Sequence, residues 1–164
     1  MSNDAEILAK EIDQAFPLIG MPSPEEIQRH STGCPTCEHL AADLESYRDK
    51  LIGVEVIREF HQEIPHLSAK ALQWILPYYL KYCLTPEAEY SGFETEFLIY
   101  SLAPVEEFEA DVTCQLSLFN SNQIRVLRKF MAYLLSTHYW RSYCPVELDR
   151  GIAFLSKLLI SQDL

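Results

Sequence analysis

Two histidines and two cysteines fall within ten residues, in the run His30-Ser31-Thr32-Gly33-Cys34-Pro35-Thr36-Cys37-Glu38-His39. A C-x2-C pair lets two thiolates on one tight turn reach the same tetrahedral ion at about 2.3 Å. His30, placed H-x3-C before that pair, can close on the ion from the other side. His39 is the nearest candidate for a fourth ligand. A carboxylate of the first helical pattern (Asp4, Glu6 or Glu11) or His61 would serve instead. The expected ion is a structural zinc, standing in for the core that two short helices cannot build between them.

The same cysteines admit two other readings. One is thiol–disulfide chemistry, in which a helix N-terminus lowers the pKa of a C-P-x-C thiol. That chemistry expects an apolar strand to feed the motif, whereas Ser23–His30 is polar and helical in pattern. The other is a pair of ordinary reduced cysteines beside a turn. Cys83, Cys114 and Cys144 are isolated in or beside apolar patterns and are expected as small core residues. His61 and His66 flank a loop, and His138 is placed at a helix end, where a cation is favourable. None has a spaced Ser, Cys or Asp partner of the kind a triad needs. No phosphate loop, dinucleotide fingerprint or H-E-x-x-H is present. Glu94 with Glu96, and Glu106 with Glu107, are expected as solvated surface, and the protein is expected not to be an enzyme.

Charge is the second strong signal. The net charge of −11 argues against nucleic acid, whose phosphates call for a basic surface. Between Glu87 and Asp111 there are eight acids (Glu87, Glu89, Glu94, Glu96, Glu106, Glu107, Glu109 and Asp111) and no Lys or Arg. Residues 119–164, by contrast, carry three acids and six bases. The acidic stretch serves solubility, or forms a docking surface for a basic protein. With 48% apolar and 12% aromatic residues the 164-residue chain can bury a core, and its five glycines do not suit a turn-dense β-sandwich. No apolar run reaches the length of a membrane span. The acidic start of the chain has no signal-peptide pattern, and the expected location is the cytoplasm.

The elements that must position these residues read as helices throughout. Leu8, Ile12, Ala15 and Phe16 share a stripe over 4–16, and the Pro17–Pro22 segment breaks it. Ser23-Pro24-Glu25-Glu26 restarts a short helix with a capping-box pattern, ending near His30. A third helix begins near Thr36 with the stripe Leu40, Leu44, Tyr47, Leu51. A shorter one over 54–63 is ended by Pro65. Residues 72–84 are apolar nearly all round and therefore central. Pro77 inside them would cost about 3 kcal/mol in a helix interior, so the expected solution is one helix ending before Pro77 and another opening with it. A helix over 91–103 stops at Pro104, and 105–118, acidic and mixed in period, fixes no element, a loop being one reading. Asn120 and Gln123 cap a helix carrying Ile124, Leu127, Met131, Leu134 and Leu135, and Pro145 opens the last one. The expected fold is all-α: an irregular bundle of about seven or eight helices. It divides into an N-terminal arm (1–51) carrying a zinc-knuckle-like turn and a helical body (52–164).

Two resemblances follow from these residues. Ser23–His30 through Cys34-Pro35-Thr36-Cys37 to Leu40 and Leu44 resembles the zinc-binding helix pair of bacterial anti-sigma factors, which share H-x3-C-x2-C between two helices. The match covers about 30 residues, and the further Cys or His those proteins carry on their first helix has no counterpart here. More broadly, the Leu76-Pro77-Tyr78-Tyr79-Leu80 run, Glu94–Tyr100 and Phe119–Gln123 leading into Phe130 are similar to an uncharacterised family of small bacterial helical proteins. That likeness implies a bacterial source and an all-α fold, and no activity. The expected function is a protein-binding module, specifically an immunity-type inhibitor that neutralises a basic toxin. The alternatives are an anti-sigma-like regulator and a thiol redox or metal-dependent protein.

Overall fold

Local signals set most helix ends in the computed structural model, which describes residues 2–30, 33–48, 50–90 and 93–162. Helix α1 (Asn3–Ala15) starts where the Ser2 hydroxyl accepts from the Ala5 N–H at 3.2 Å. The short α2 (Pro24–Ile27) opens with proline, and the Glu26 carboxylate reaches back to the Ser23 N–H at 3.1 Å. Helix α3 (Pro35–Glu45) again opens with proline. It ends earlier than its apolar stripe suggests, so Tyr47 is only half-buried and Leu51 is exposed. Helix α4 (Val54–Phe60) passes into a 3-10 turn, His61–His66, that contains Pro65.

Helix α5 (Ala69–Cys83) runs straight through Pro77, contrary to the expected break. Ten of its residues are buried, Pro77 among them. Each buried Leu, Ile or aromatic side chain contributes about 1.5–3 kcal/mol, which together outweighs the cost of one interior proline. The chain continues through α6 (Pro86–Tyr90) and α7 (Glu94–Leu102). The expected first residues of α7, 91 and 92, lie outside the described residues. Most of 105–118, whose mixed period fixes no element, is helical: a 3-10 turn (Glu106–Phe108) and α8 (Glu109–Gln115). In the capping box of α9 (Ser121–Ser136), Asn120 and Gln123 each accept from the other's backbone N–H at 3.0 Å. Helices α10 (His138–Tyr143) and α11 (Pro145–Gln162) complete the chain. His138 therefore begins a helix rather than ending one, because Thr137 takes an extended conformation and separates α9 from α10.

Among the described residues there are eleven α-helices, eight of them seven residues or longer, and no strand. The fold is all-α, as its periodicities imply. No described helix is long and apolar enough to cross a membrane. Helix α9 packs mainly on α11 and on α1, and α1 also meets α5. Leu8, Ile12, Phe16 and Ile27 from the N-terminal segment join Leu76, Leu80, Leu127, Phe130 and Leu155 in one apolar core. Phe16 meets Phe119 edge to face at 6.0 Å. Helix α11 lies so close to the end of α7 that a Cβ on Gly151 would stand 3.1 Å from the Leu102 carbonyl oxygen.

The N-terminal segment is also fastened by its backbone. An isolated antiparallel bridge pairs Gln28 with Leu67, and the Ser68 N–H donates to Ile27 O at 2.9 Å. Arg29 donates to Pro65 O at 2.7 Å, and Arg48 to Pro22 O at 2.9 Å. From the other side, the buried Gln115 amide donates to the carbonyls of Ile64 and Leu67 at 3.0 and 2.8 Å. The 64–68 turn is thus the post to which both α2 and α8 are tied.

Candidate metal centre

That anchoring fixes where His30 stands, three residues beyond the end of α2. Gly33 then turns the chain with φ of +98°, a left-handed value that only glycine adopts without strain. Cys34 caps α3 and Cys37 lies in its first turn. One nitrogen of His30 and the two sulfurs all lie within 4.8 Å of one another. His30 Nδ1 is 3.3 Å from Cys37 Sγ. Two donors bound tetrahedrally at 2.0–2.3 Å from one ion would stand about 3.5 Å apart, so the observed separation fits a shared ion. The group could hold a metal ion.

The electrostatics agree with thiolate ligation. The N-terminus of α3 carries the positive end of the helix dipole and favours anionic sulfur. The Cys34 thiol is held below the usual thiol range, first by the Cys37 backbone N–H and then by the Cys37 side chain, while Glu38 opposes the shift. Glu38 itself accepts from the Gly33 N–H at 3.2 Å, which braces the turn. Cys37 is buried, Cys34 half-buried and His30 exposed, so the group opens to solvent on its histidine side.

His39 does not join this group. Residues two apart point to opposite sides of a helix, so Cys37 faces inward and His39 faces away. His39 instead lines a cleft of about 370 Å³ between α3 and α4, with Leu40, Asp43, Glu59, Phe60 and Glu63. The substitute ligands are engaged elsewhere: Glu11 accepts from Lys129 at 2.7 Å, and His61 Nδ1 is 2.6 Å from Arg58 O. Asp4 and Glu6 lie on α1 and are not part of the group either.

The eight acids from Glu87 to Asp111 are spread over α6, α7, the following 3-10 turn and α8, and most have internal roles. Glu94, expected on the surface, is 3% exposed. Its Oε1 is 3.3 Å from Arg58 Nε, while Glu87 accepts from the same guanidinium at 2.6 Å. Glu96 accepts from Tyr100 at 2.7 Å. Glu109 pairs with Lys157 at 2.5 Å, and Asp111 with Arg29 at 3.4 Å. Glu106 and Glu107 are exposed and Glu89 is half-buried.

The remaining cysteines divide. Cys83 and Cys144 are buried, but Cys114, expected in the core, is exposed on α8. Burial pushes the Cys83 thiol up to about 12. Burial, then the charges of Glu96 and Glu147, push the Cys144 thiol up to about 11.

The class this fold and site define is an all-helical protein with a His-Cys-Cys group able to hold a metal ion. Compared with known protein families, curated proteins and solved structures, the chain matches none.

Proposed function

We propose that the protein is a non-enzymatic, zinc-clipped bacterial binding module of the cytoplasm that sequesters a basic protein partner, acting as an immunity-type inhibitor of a toxin. The observation that carries this reading is the acidic cleft between α3 and α4. Asp43, Glu59 and Glu63 converge on it, and among the described residues no Lys or Arg lines it. Glu59, Glu55 and Asp43 all act to raise the Tyr47 phenol above its ordinary range, with the Tyr47–Glu59 hydrogen bond as the largest cause. Negative potential gathers there, beside the helix N-terminus that the metal group holds. The docking region is accordingly assigned to this cleft rather than to Glu87–Asp111, whose acids are largely paired within the chain. Such a field speeds encounter with a cationic partner and makes the complex salt-sensitive.

Zinc is the ion that best suits two thiolates and an imidazole, with a fourth position left for a further ligand or water. Capture of purified basic toxins tests the function. A partner should lose about tenfold or more in affinity on Glu63→Lys with Asp43→Lys, and should weaken with salt. The reading fails if every captured partner ignores both charge reversal and salt. The His-Cys-Cys group between two short helices also supports an anti-sigma-like regulator. In that case a sigma factor would bind in a way that depends on metal and is indifferent to the two reversals.

A further inference from the structure

A second cleft is lined by His30 itself, and its chemistry is opposite to that of the acidic one. It measures about 510 Å³, within the range of small-molecule sites. Its walls are the end of α7 with the segment Ala103–Val105, the 3-10 turn and α8, the Pro65–His66 turn, and Arg150 of α11. Three large side chains that the chain leaves uncovered face this one space: Tyr100, Val105 and Phe108, at 44%, 43% and 51% exposure. Apolar groups gathered in a concave surface lose water to an apolar ligand at a gain of about 25 cal/mol per Å² covered.

The charged groups are unusual for a molecule of net charge −11. Among the described residues Arg29 and Arg150, with His30 and His66, line the cleft against a single carboxylate, Asp111, which already pairs with Arg29 at 3.4 Å. One guanidinium is therefore left over. Arg150 donates its Nε to the Ala103 carbonyl at 2.8 Å, which holds the plane of the group in place, and it has no carboxylate partner among the described residues. A fixed guanidinium presents a planar fork that matches a carboxylate in geometry and charge.

We infer that this cleft binds an amphipathic monocarboxylate, with an aromatic or aliphatic body against Tyr100, Val105 and Phe108 and its carboxylate on Arg150. The single uncompensated charge selects a monoanion, and the apolar walls select against acetate-sized acids. The inference does not depend on the docking surface proposed above, which lies on α3 and α4.

Calorimetric titration of the full chain with naphthalene-2-carboxylate tests it, with 2-naphthamide as the neutral isostere and acetate as the bodiless control. Saturable binding at about one site is expected below millimolar concentration for the carboxylate, with the amide about tenfold weaker or more and acetate silent. Arg150→Gln should cost the carboxylate about tenfold and leave the amide unchanged. Val105→Asp changes an exposed position outside the helices, so it keeps the test decisive if loss of the Ala103 bond unfolds Arg150→Gln. It sets a carboxylate against the ligand's own and should also cost about tenfold. No saturable binding by the unaltered chain, equal binding of the amide, or wild-type affinity in Val105→Asp would each overturn the inference.

Discussion

Single side chains carry the chemistry, and their environments make them unequal. Cys34 and Cys114 can be reached by solvent, whereas Cys83 and Cys144 are buried with raised thiol pKa values. Alkylation at neutral pH should therefore modify Cys114 first and leave Cys83 and Cys144 intact until the chain unfolds. Cys34 should become reactive only when a chelator is added, and peptide mass mapping reads the order. Arg58 is the second residue with a consequence. It is the counter-charge of Glu94, whose other carboxylate oxygen is buried without a hydrogen-bond partner. Because Arg58 itself is 41% exposed, its loss should cost less than breaking a fully buried pair and more than breaking a surface one. Arg58→Ala is expected to lose about 2 kcal/mol in urea unfolding, and Glu94→Gln in that background should restore part of it. Glu94 was not legible in the sequence: beside Glu96 it reads as part of a solvated helix face, and only a cation from α4 makes its burial possible. The grouping of His30, Cys34 and Cys37 was legible, because C-x2-C and H-x3-C are local spacings. His39 lies outside the group, because residues two apart on a helix point to opposite sides, which a count of residues ignores.

Helices were legible where caps and period agree. Asn120 and Gln123 announce α9 and form the expected reciprocal bonds, so Asn120→Ala should cost about 1 kcal/mol. Helix α5 shows the converse. Pro77 is a strong local stop, yet the helix continues because its flanking residues are buried on nearly every side, a fact of tertiary packing that no local pattern carries. Helix α8 was hidden for a related reason. Its buried polar residue, Gln115, has an amide committed to carbonyls of the 64–67 turn, a remote partner that makes an otherwise acidic and aperiodic stretch worth ordering. The packing of α11 against α9 and the end of α7 supplies an element-scale test. A Cβ at Gly151 would meet Met131 Cε at 2.4 Å and the Leu102 carbonyl at 3.1 Å. Met131 can move but the backbone cannot, so Gly151→Val should destabilise the chain by about 1–3 kcal/mol in denaturant titration.

At the scale of the molecule, the N-terminal segment shares the core of the rest of the chain. Its Ile12, Phe16 and Ile27 lie in the same core as Phe130 and Leu155, and its backbone pairs with the 67–68 turn. A chain lacking residues 1–50 should therefore fail to fold cooperatively. Stability should also respond to alkali. The unfolded chain releases the protons of Cys83 and Cys144 near the ordinary 9.0, the folded chain only near about 12 and about 11. Over that window the folded state holds more protons, so stability is full below about pH 9 and falls as pH rises beyond it. Urea midpoints at about pH 8 and about pH 10.5 check the sign. The central claim remains the metal group, since its His30 lines one cleft and the helix that its cysteines open, α3, lines the other. Elemental analysis of the purified protein, beside Cys34→Ser and His39→Ala, addresses it most directly. About one zinc per chain is expected in the wild type and in His39→Ala, with loss in Cys34→Ser. A metal-free wild type, or an undiminished Cys34→Ser, would contradict it.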